Sequence, residues 1–262
     1  MEMDKIADVA FLSESDHCCD IIRKAANIIH AGGVVVFPAK CLYGLAADAL
    51  NPAAVQRVFE IKQRPLTNPL LVLVDDISQL DLLVQPVLEI VPSVSEMQPV
   101  SKNRSSLQSG LDRPEMKPES KNLLPASAQA LIKKFWPGSI TIVFNAVDGL
   151  PEALTAGTGK IGIRMPGHPV ARALVRQVGS PITGTSANIS GKAGCQDIAL
   201  LDPHILSRVD MVLDSGILKG GIGSTVVDVT CDSVKIAREG QVSGHEVIKA
   251  ISEMSKLFKT GS

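Results

Sequence analysis

Short, unbroken apolar runs set between helix-like stretches constrain this chain more than any other feature. The run VVVF at residues 34–37 follows a segment from Asp16 to Ala31. In that segment Cys18, Ile21, Ile22, Ala25, Ile28 and Ile29 recur at helical spacing, and Gly32-Gly33 supplies a stop. Asn51-Pro52 then reads as an N-cap and first-turn proline for a helix through Ile61 whose Val55, Val58 and Phe59 share a face. Leu70 to Val74 is a second unbroken apolar run. A strand apolar at every position needs cover on both sides, so this alternation predicts an α/β fold with a sheet covered by helices.

The same patterning resumes late in the chain. A short helix to Phe135, the turn WPGS and strand ITIVF are followed by IGIRM from Ile161 and a helix from His168 to Val178. Short strands are expected at 181–183, 211–213, 226–229 and 234–237, and a last helix at 244–258. Between 92 and 125 the composition shifts to Pro, Ser and charge without periodicity, which predicts a disordered insertion loop inside one domain spanning 1–262.

Composition narrows the function classes. The formal net charge of -1 supplies no global field toward nucleic acid or an anionic membrane, so any such binding must come from a local cluster of Lys and Arg. Cys18, Cys19, Cys41, Cys195 and Cys231 form no CxxC pair and no zinc spacing, which suggests reduced thiols and a cytoplasmic setting. The first twenty residues lack the basic start and apolar core of a signal peptide, and no apolar run approaches the ~20 residues that span a bilayer. No His, Cys, Asp and Glu grouping has metal-ligand spacing, so no protein-held metal is expected.

Four clusters could carry chemistry. In EIKQRPLTNPL, Lys62 and Arg64 close a helix ahead of a rigid turn carrying Asn68. Cations there complement the helix dipole, but fixed cations beside an asparagine also suit phosphate oxygens. TAGTGK fails as a phosphate-binding loop, because Leu154 stands where the first glycine belongs and Ile161 where Ser or Thr would meet magnesium. Arg164, inside an apolar strand, must be paired or face a cavity. PITGTSANISG puts Ser186 and Asn188 past a strand's carboxyl end, where open α/β sheets bind ligands. GGIGSTVVDV places glycines ahead of Ser224, and Arg238 follows the next strand. His168, at a helix start, reads as structural. Together these favour an anion-binding pocket of Lys, Arg, Ser and Asn that works by position and charge.

In this order, GGVVVFPAKCLYGLAADALN, VFEIKQRPLTNPLLVLV, FWPGSITIVF, IGIRMPGHPVARALV, PITGTSANISG and GSTVVDV with AREG resemble the YrdC-like family of threonylcarbamoyl-AMP synthases. The resemblance covers roughly residues 20–243, apart from 92–125. It implies a twisted, open, mixed sheet with helices on its faces around a concave basic cavity. It also implies synthesis of threonylcarbamoyl-adenylate from L-threonine, bicarbonate and ATP with release of pyrophosphate, Mg2+ accompanying the ATP. The product would serve a tRNA threonylcarbamoyl-transferase complex acting on the adenosine beside the anticodon. Carried over by position, Lys62 and Arg64 are the catalytic pair. Arg64, Asn68, Ser186 and Arg238 are expected on the nucleotide, and Cys41, Tyr43, Arg164 and Ser224 on the amino acid, Tyr43 as an aromatic wall. Lys62 and Asn188 are expected to contact RNA or phosphate.

The chain departs from the family pattern at several of these places. Pro38, Ala39, Lys40 and Cys41 stand where the family usually reads PTET, and Leu73 where a histidine is common. Lys160 replaces a frequent threonine and Gly194 a frequent serine. Phosphate-holding positions are thus better kept than amino-acid-holding ones, and lost hydrogen-bonding groups alter selectivity. Two alternatives follow: a diverged paralogue using another carbamate or carboxylate, and a non-catalytic double-stranded RNA-binding module.

Overall fold

A computed structural model of the protein describes residues 7–12, 17–86, 124–231 and 233–260. The expected insertion at 92–125 lies, up to residue 123, outside the described residues. The first half contains β1 (Asp8–Phe11), α1 (His17–His30), β2 (Val35–Pro38), β3 (Tyr43–Ala46), α2 (Pro52–Lys62) and β4 (Leu71–Leu73). After residue 123 come α3 (Ala126–Phe135), β5 (Ile140–Asn145), α4 (Glu152–Thr155), β6 (Lys160–Arg164), α5 (Pro169–Val178), β7 (Ile182–Thr183) and β8 (Thr185–Ser186). The chain continues through α6 (Pro203–Leu206), β9 (Met211–Asp214), β10 (Thr225–Asp228), β11 (Lys235–Arg238) and α7 (Gly244–Thr260).

The local signals act as their chemistry requires. On α1, Ile22, Ala25, Ala26 and Ile29 form the buried stripe. Gly33 ends the helix where a Cβ would lie 2.7 Å from the Ile28 carbonyl oxygen, so only glycine fits that approach. Asn51 caps α2 by accepting from the amides of Ala53 at 3.0 Å and Ala54 at 3.2 Å. Strand β2 is buried at every residue. Val35 and Phe37 pack against α1 and α5, while Val36 enters the larger core with α2 and β5, as an all-apolar strand demands.

The fold is mixed α/β with open sheets, and hydrogen bonding divides the strands into two. One sheet runs β1-β9-β2-β3-β8 and the other β11-β10-β5-β6-β4-β7. The junction is Gly184, between β7 of one sheet and β8 of the other. There the Thr183 amide donates to the Ala47 carbonyl at 2.8 Å and the Ala47 amide donates to Thr183 Oγ1 at 3.0 Å. A Cβ on Gly184 would sit 2.5 Å from Leu73 Cγ, so glycine and leucine are matched at this corner. Among the described residues, no helix is long and apolar enough to cross a membrane.

Three strands were not expected from the sequence. β3 and β8 are short and mix the strand formers Tyr and Thr with Gly and Ser, so pairing decides them: Gly44 pairs with Ser186 and Leu45 with Thr185. β1 pairs in parallel with β9 at the sheet edge, where alternating acidic and apolar residues look like an unstructured start.

Candidate functional site

The two sheets enclose a cavity of about 620 Å³. Its floor is one face of the six-stranded sheet. Lys160, Gly162 and Arg164 on β6, Thr141 and Val143 on β5, and Val226 and Asp228 on β10 line it at two-residue spacing, as the pleat dictates. The β2–β3 turn supplies Lys40, Cys41 and Leu42, the segment after α2 supplies Arg64, and the loop before β10 supplies Ile222 and Ser224. Leu73, opposite Arg164 in the parallel β4–β6 pairing, makes that end of the floor apolar.

Positive charge gathers on one side. Arg64 leaves the end of α2 through Gln63, which takes a left-handed φ of 49° and turns the chain toward the cavity. Its Nε donates to the Asn68 carbonyl at 3.0 Å and its Nη2 to the Pro69 carbonyl at 2.9 Å, which orients the guanidinium. Burial and the charge of Arg238 lower the Arg64 pKa. Arg238 donates to the Ser224 carbonyl at 2.9 Å. Arg164 Nε is buried with no hydrogen-bond partner among the described residues. Burial lowers the Arg164 pKa to about 10, with Cys41 opposing the shift and Arg238 adding to it. None of these three arginines has a carboxylate partner among the described residues. A guanidinium held in low dielectric without a counter-ion is costly, and an anionic ligand supplies the missing partner.

The opposite corner is compensated. Lys160 Nζ donates to Asp228 Oδ2 at 2.8 Å, and Thr230 Oγ1 donates to Asp228 Oδ1 at 2.6 Å. The hydrogen bond to Asp228 raises the Lys160 pKa, and among the described residues Asp228 is the only acidic one lining the cavity. Among the described residues, no group of three or more His, Cys, Asp or Glu could hold a metal ion.

The expected site residues therefore separate. Cys41, Tyr43, Arg64, Arg164, Ser186, Ser224 and Arg238 all line the cavity; Lys62, Asn68 and Asn188 do not. Tyr43 has no exposed surface. Its hydroxyl donates to the Gly216 carbonyl at 2.7 Å and accepts from the Ser215 amide at 2.9 Å, and burial raises its pKa. The lone tyrosine thus lines the cavity and, through its hydroxyl, ties β3 to the turn after β9. Asn68 offers its carbonyl to Arg64 while its side chain is on the exposed turn. Asn188 accepts from Ser186 Oγ through Oδ1 and donates to the Lys192 carbonyl at 2.7 Å, so it shapes the loop that presents Ser186. His168 occupies the N-cap position of α5 without capping it, and burial lowers its pKa.

Ser139, Thr141 and Gln241 escaped the sequence reading. Lys40 Nζ donates to Ser139 Oγ at 3.2 Å, and Ser139 donates to Gln241 Oε1 at 2.8 Å. Gln241 Nε2 in turn reaches Cys41 Sγ at 3.1 Å and the Ile222 carbonyl at 2.9 Å. This chain of contacts fastens the β2–β3 turn of one sheet to the glycine-rich loop of the other. Thr141 shares a 2.7 Å hydrogen bond with Ser224. A hydroxyl inside the apolar run ITIVF is a signal of the same kind as Arg164. Gln241 and Ser139 carry none, because only tertiary structure joins them. Gly194, at a family serine position, has its own cause: a Cβ there would come within 2.6 Å of Leu42 Cδ1, a cavity-lining side chain.

Comparison with known proteins agrees with this geometry. The Sua5/YciO/YrdC family model, described as "Telomere recombination", matches residues 27–240. A threonylcarbamoyl-AMP synthase of Bacillus subtilis is 32% identical over 227 residues, 86% of this chain and 55% of that protein. One from Pyrococcus abyssi is 30% identical over 233 residues, 89% of this chain and 58% of that protein. This chain thus spans a little over half the length of these relatives. The crystal structure of P. abyssi Sua5 complexed with L-threonine superposes with a TM-score of 0.74 at 29% identity, covering 95% of this chain and 62% of that one.

Proposed function

Since the chain belongs to the Sua5/YciO/YrdC family, we propose that it makes threonylcarbamoyl-adenylate from L-threonine, bicarbonate and ATP, releasing pyrophosphate. The observation that carries this reading is the set of three arginines, Arg64, Arg164 and Arg238, turned toward one cavity without carboxylate partners among the described residues. The reaction brings three anionic groups together: a polyphosphate, a carbamate and an amino-acid carboxylate. Guanidinium groups fit all of them through forked, charge-assisted hydrogen bonds.

In this reading Arg164 holds the threonine carboxylate, and Arg64 and Arg238 take phosphate oxygens beside Ser186. The threonine amine adds to CO2 with loss of a proton, or to bicarbonate with loss of water, to form a carbamate. A carbamate oxygen then attacks the α-phosphorus of ATP, the bond from that phosphorus to the bridging oxygen breaks, and pyrophosphate leaves. The protein's part is to hold the two anions in line and offset the charge growing on the leaving phosphates. Among the described residues Asp228 is the sole acidic lining residue and is taken by Lys160 and Thr230, so magnesium would enter with the ATP phosphates. The product would be passed to a tRNA threonylcarbamoyl-transferase complex. A reducing cytoplasmic setting fits the five free cysteines.

The convergence of the arginines on one concave cavity suits small ligands better than a duplex, which needs a broad open face. Leu73 and Gly184 form an apolar corner beside Arg164, so the amino-acid side chain is the feature to vary in the assay. Purified protein with ATP, magnesium and bicarbonate is given each amino acid in turn, and pyrophosphate release is followed. Release that requires both L-threonine and bicarbonate is the expected result. Release with a different amino acid would move the reading to a diverged paralogue, and no release with any of them would remove it.

A further inference from the structure

Lys62 and Arg64 are two residues apart at the end of α2, yet they do different things. Lys62 is 1% exposed and is absent from the cavity wall. Its Nζ donates to the Ser186 carbonyl and, at 2.8 Å, to the Asn188 carbonyl. Its own carbonyl accepts from the Ser190 amide at 2.8 Å. Three bonds from one residue therefore fasten the end of α2 to residues 186–190. We propose that Lys62 is a positioning residue: its ammonium holds the Ser186–Ser190 loop so that the Ser186 hydroxyl faces the nucleotide, and it touches no phosphate itself.

Besides Lys62, the core packing of Ala187 and Ile189 and a few hydrogen bonds hold the loop. β8 is two residues long and pairs with β3 only. Beyond that pairing, Ala187 N donates to the Tyr43 carbonyl at 2.8 Å and Asn188 braces the loop from within. An ammonium has three protons, and two of them go to carbonyls on opposite sides of Ala187, which sets the local backbone direction. The third has no route to the cavity at this burial. The negative end of the α2 dipole and the two carbonyls are the partners its ammonium has, in the place a phosphate would otherwise take. The inference rests on the nucleotide reading of the site, with Ser186 as a nucleotide contact.

A double-mutant cycle decides between positioning and direct contact. ATP binding is measured by calorimetry for the wild type, Lys62→Met, Ser186→Ala and the double variant, with amide hydrogen exchange followed across residues 186–192. Each single variant is expected to bind ATP about 10-fold more weakly, with the double within about twofold of the weaker single. Exchange at Ala187 and Ser190 should quicken in Lys62→Met while β5 amides keep their protection. Losses that multiply to about 100-fold would mean an independent contact and overturn the proposal, as would unchanged exchange in the loop. If Lys62→Met does not fold, Asn188→Ala loosens the same loop from its other side and should couple to Ser186→Ala in the same way; additive losses there would overturn it too. Should the wild type bind no ATP, the proposed function falls, and the exchange data still decide whether Lys62 holds the loop.

Discussion

The cavity has two cationic corners, and they are built on opposite principles. At one, Arg64, Arg164 and Arg238 face the same space, and Arg238 lowers the pKa of both of the others. At the other, Lys160 is matched by Asp228, which is itself braced by Thr230. The second corner is electrostatically complete and has nothing to gain from a ligand. The first is incomplete, and its incompleteness is the best indicator of where an anion belongs. Counting cations would not separate the two; asking which of them lack a partner does.

The largest expected effect tests the incomplete corner. Arg164→Met should weaken L-threonine binding about 100-fold, the loss of about 3 kcal/mol expected for forked hydrogen bonds to a charged group. Removing a buried, unpartnered charge should also leave the ligand-free protein at least as stable as the wild type, read from thermal melts. A large drop in stability would mean that Arg164 has a structural partner and would break the contrast.

Lys62 provides a pH test of the wall behind that corner. Burial and the nearby Arg64 lower its pKa from 10.5 to about 7 in the folded state. Between those values the unfolded chain binds more protons than the folded one, so this group makes stability rise with pH through that window, by at most about 1.4 kcal/mol per unit. Below about 7 it is protonated in both states and contributes no slope. Denaturant titrations at several pH values should show a shallower rise for Lys62→Met than for the wild type; identical slopes would contradict the burial argument.

Two smaller effects probe the complete corner. Asp228→Asn leaves Lys160 without its counter-charge, and ATP binding should tighten about threefold at low salt, with the gain fading at high salt. Lys160→Met should change ATP affinity by less than about twofold, because the ammonium is already engaged. A loss as large as that from removing an arginine would show that Lys160 is a ligand contact and that its pairing with Asp228 is only a resting arrangement.

How much of this the sequence discloses depends on whether the cause is local. VVVF, ITIVF and the Asn51-Pro52 cap announce themselves, since periodicity, apolarity and capping act within a few residues. Arg164 is equally legible, because a charge inside an apolar strand demands a cavity or a partner. Strand β8 is not, since Thr185 and Ser186 are too short a stretch to show a pattern and become a strand only by pairing with Leu45 and Gly44. The roles within KxR are also hidden: Lys62 and Arg64 look alike until Gln63 turns the chain and sends one inward to carbonyls and the other to the cavity. The second role of Tyr43 is hidden for the same reason: it lines the cavity, as its place at a strand mouth suggests, and its hydroxyl also ties down a turn more than a hundred residues away.

The central claim is that arginines without a carboxylate partner among the described residues mark the ligand site, and ATP titration into Arg64→Ala tests it most directly. Calorimetry at two or more salt concentrations should show affinity at least about 10-fold below the wild type and a weaker dependence on salt, since one charge contact has gone. Unchanged affinity with an unchanged salt dependence would contradict the claim.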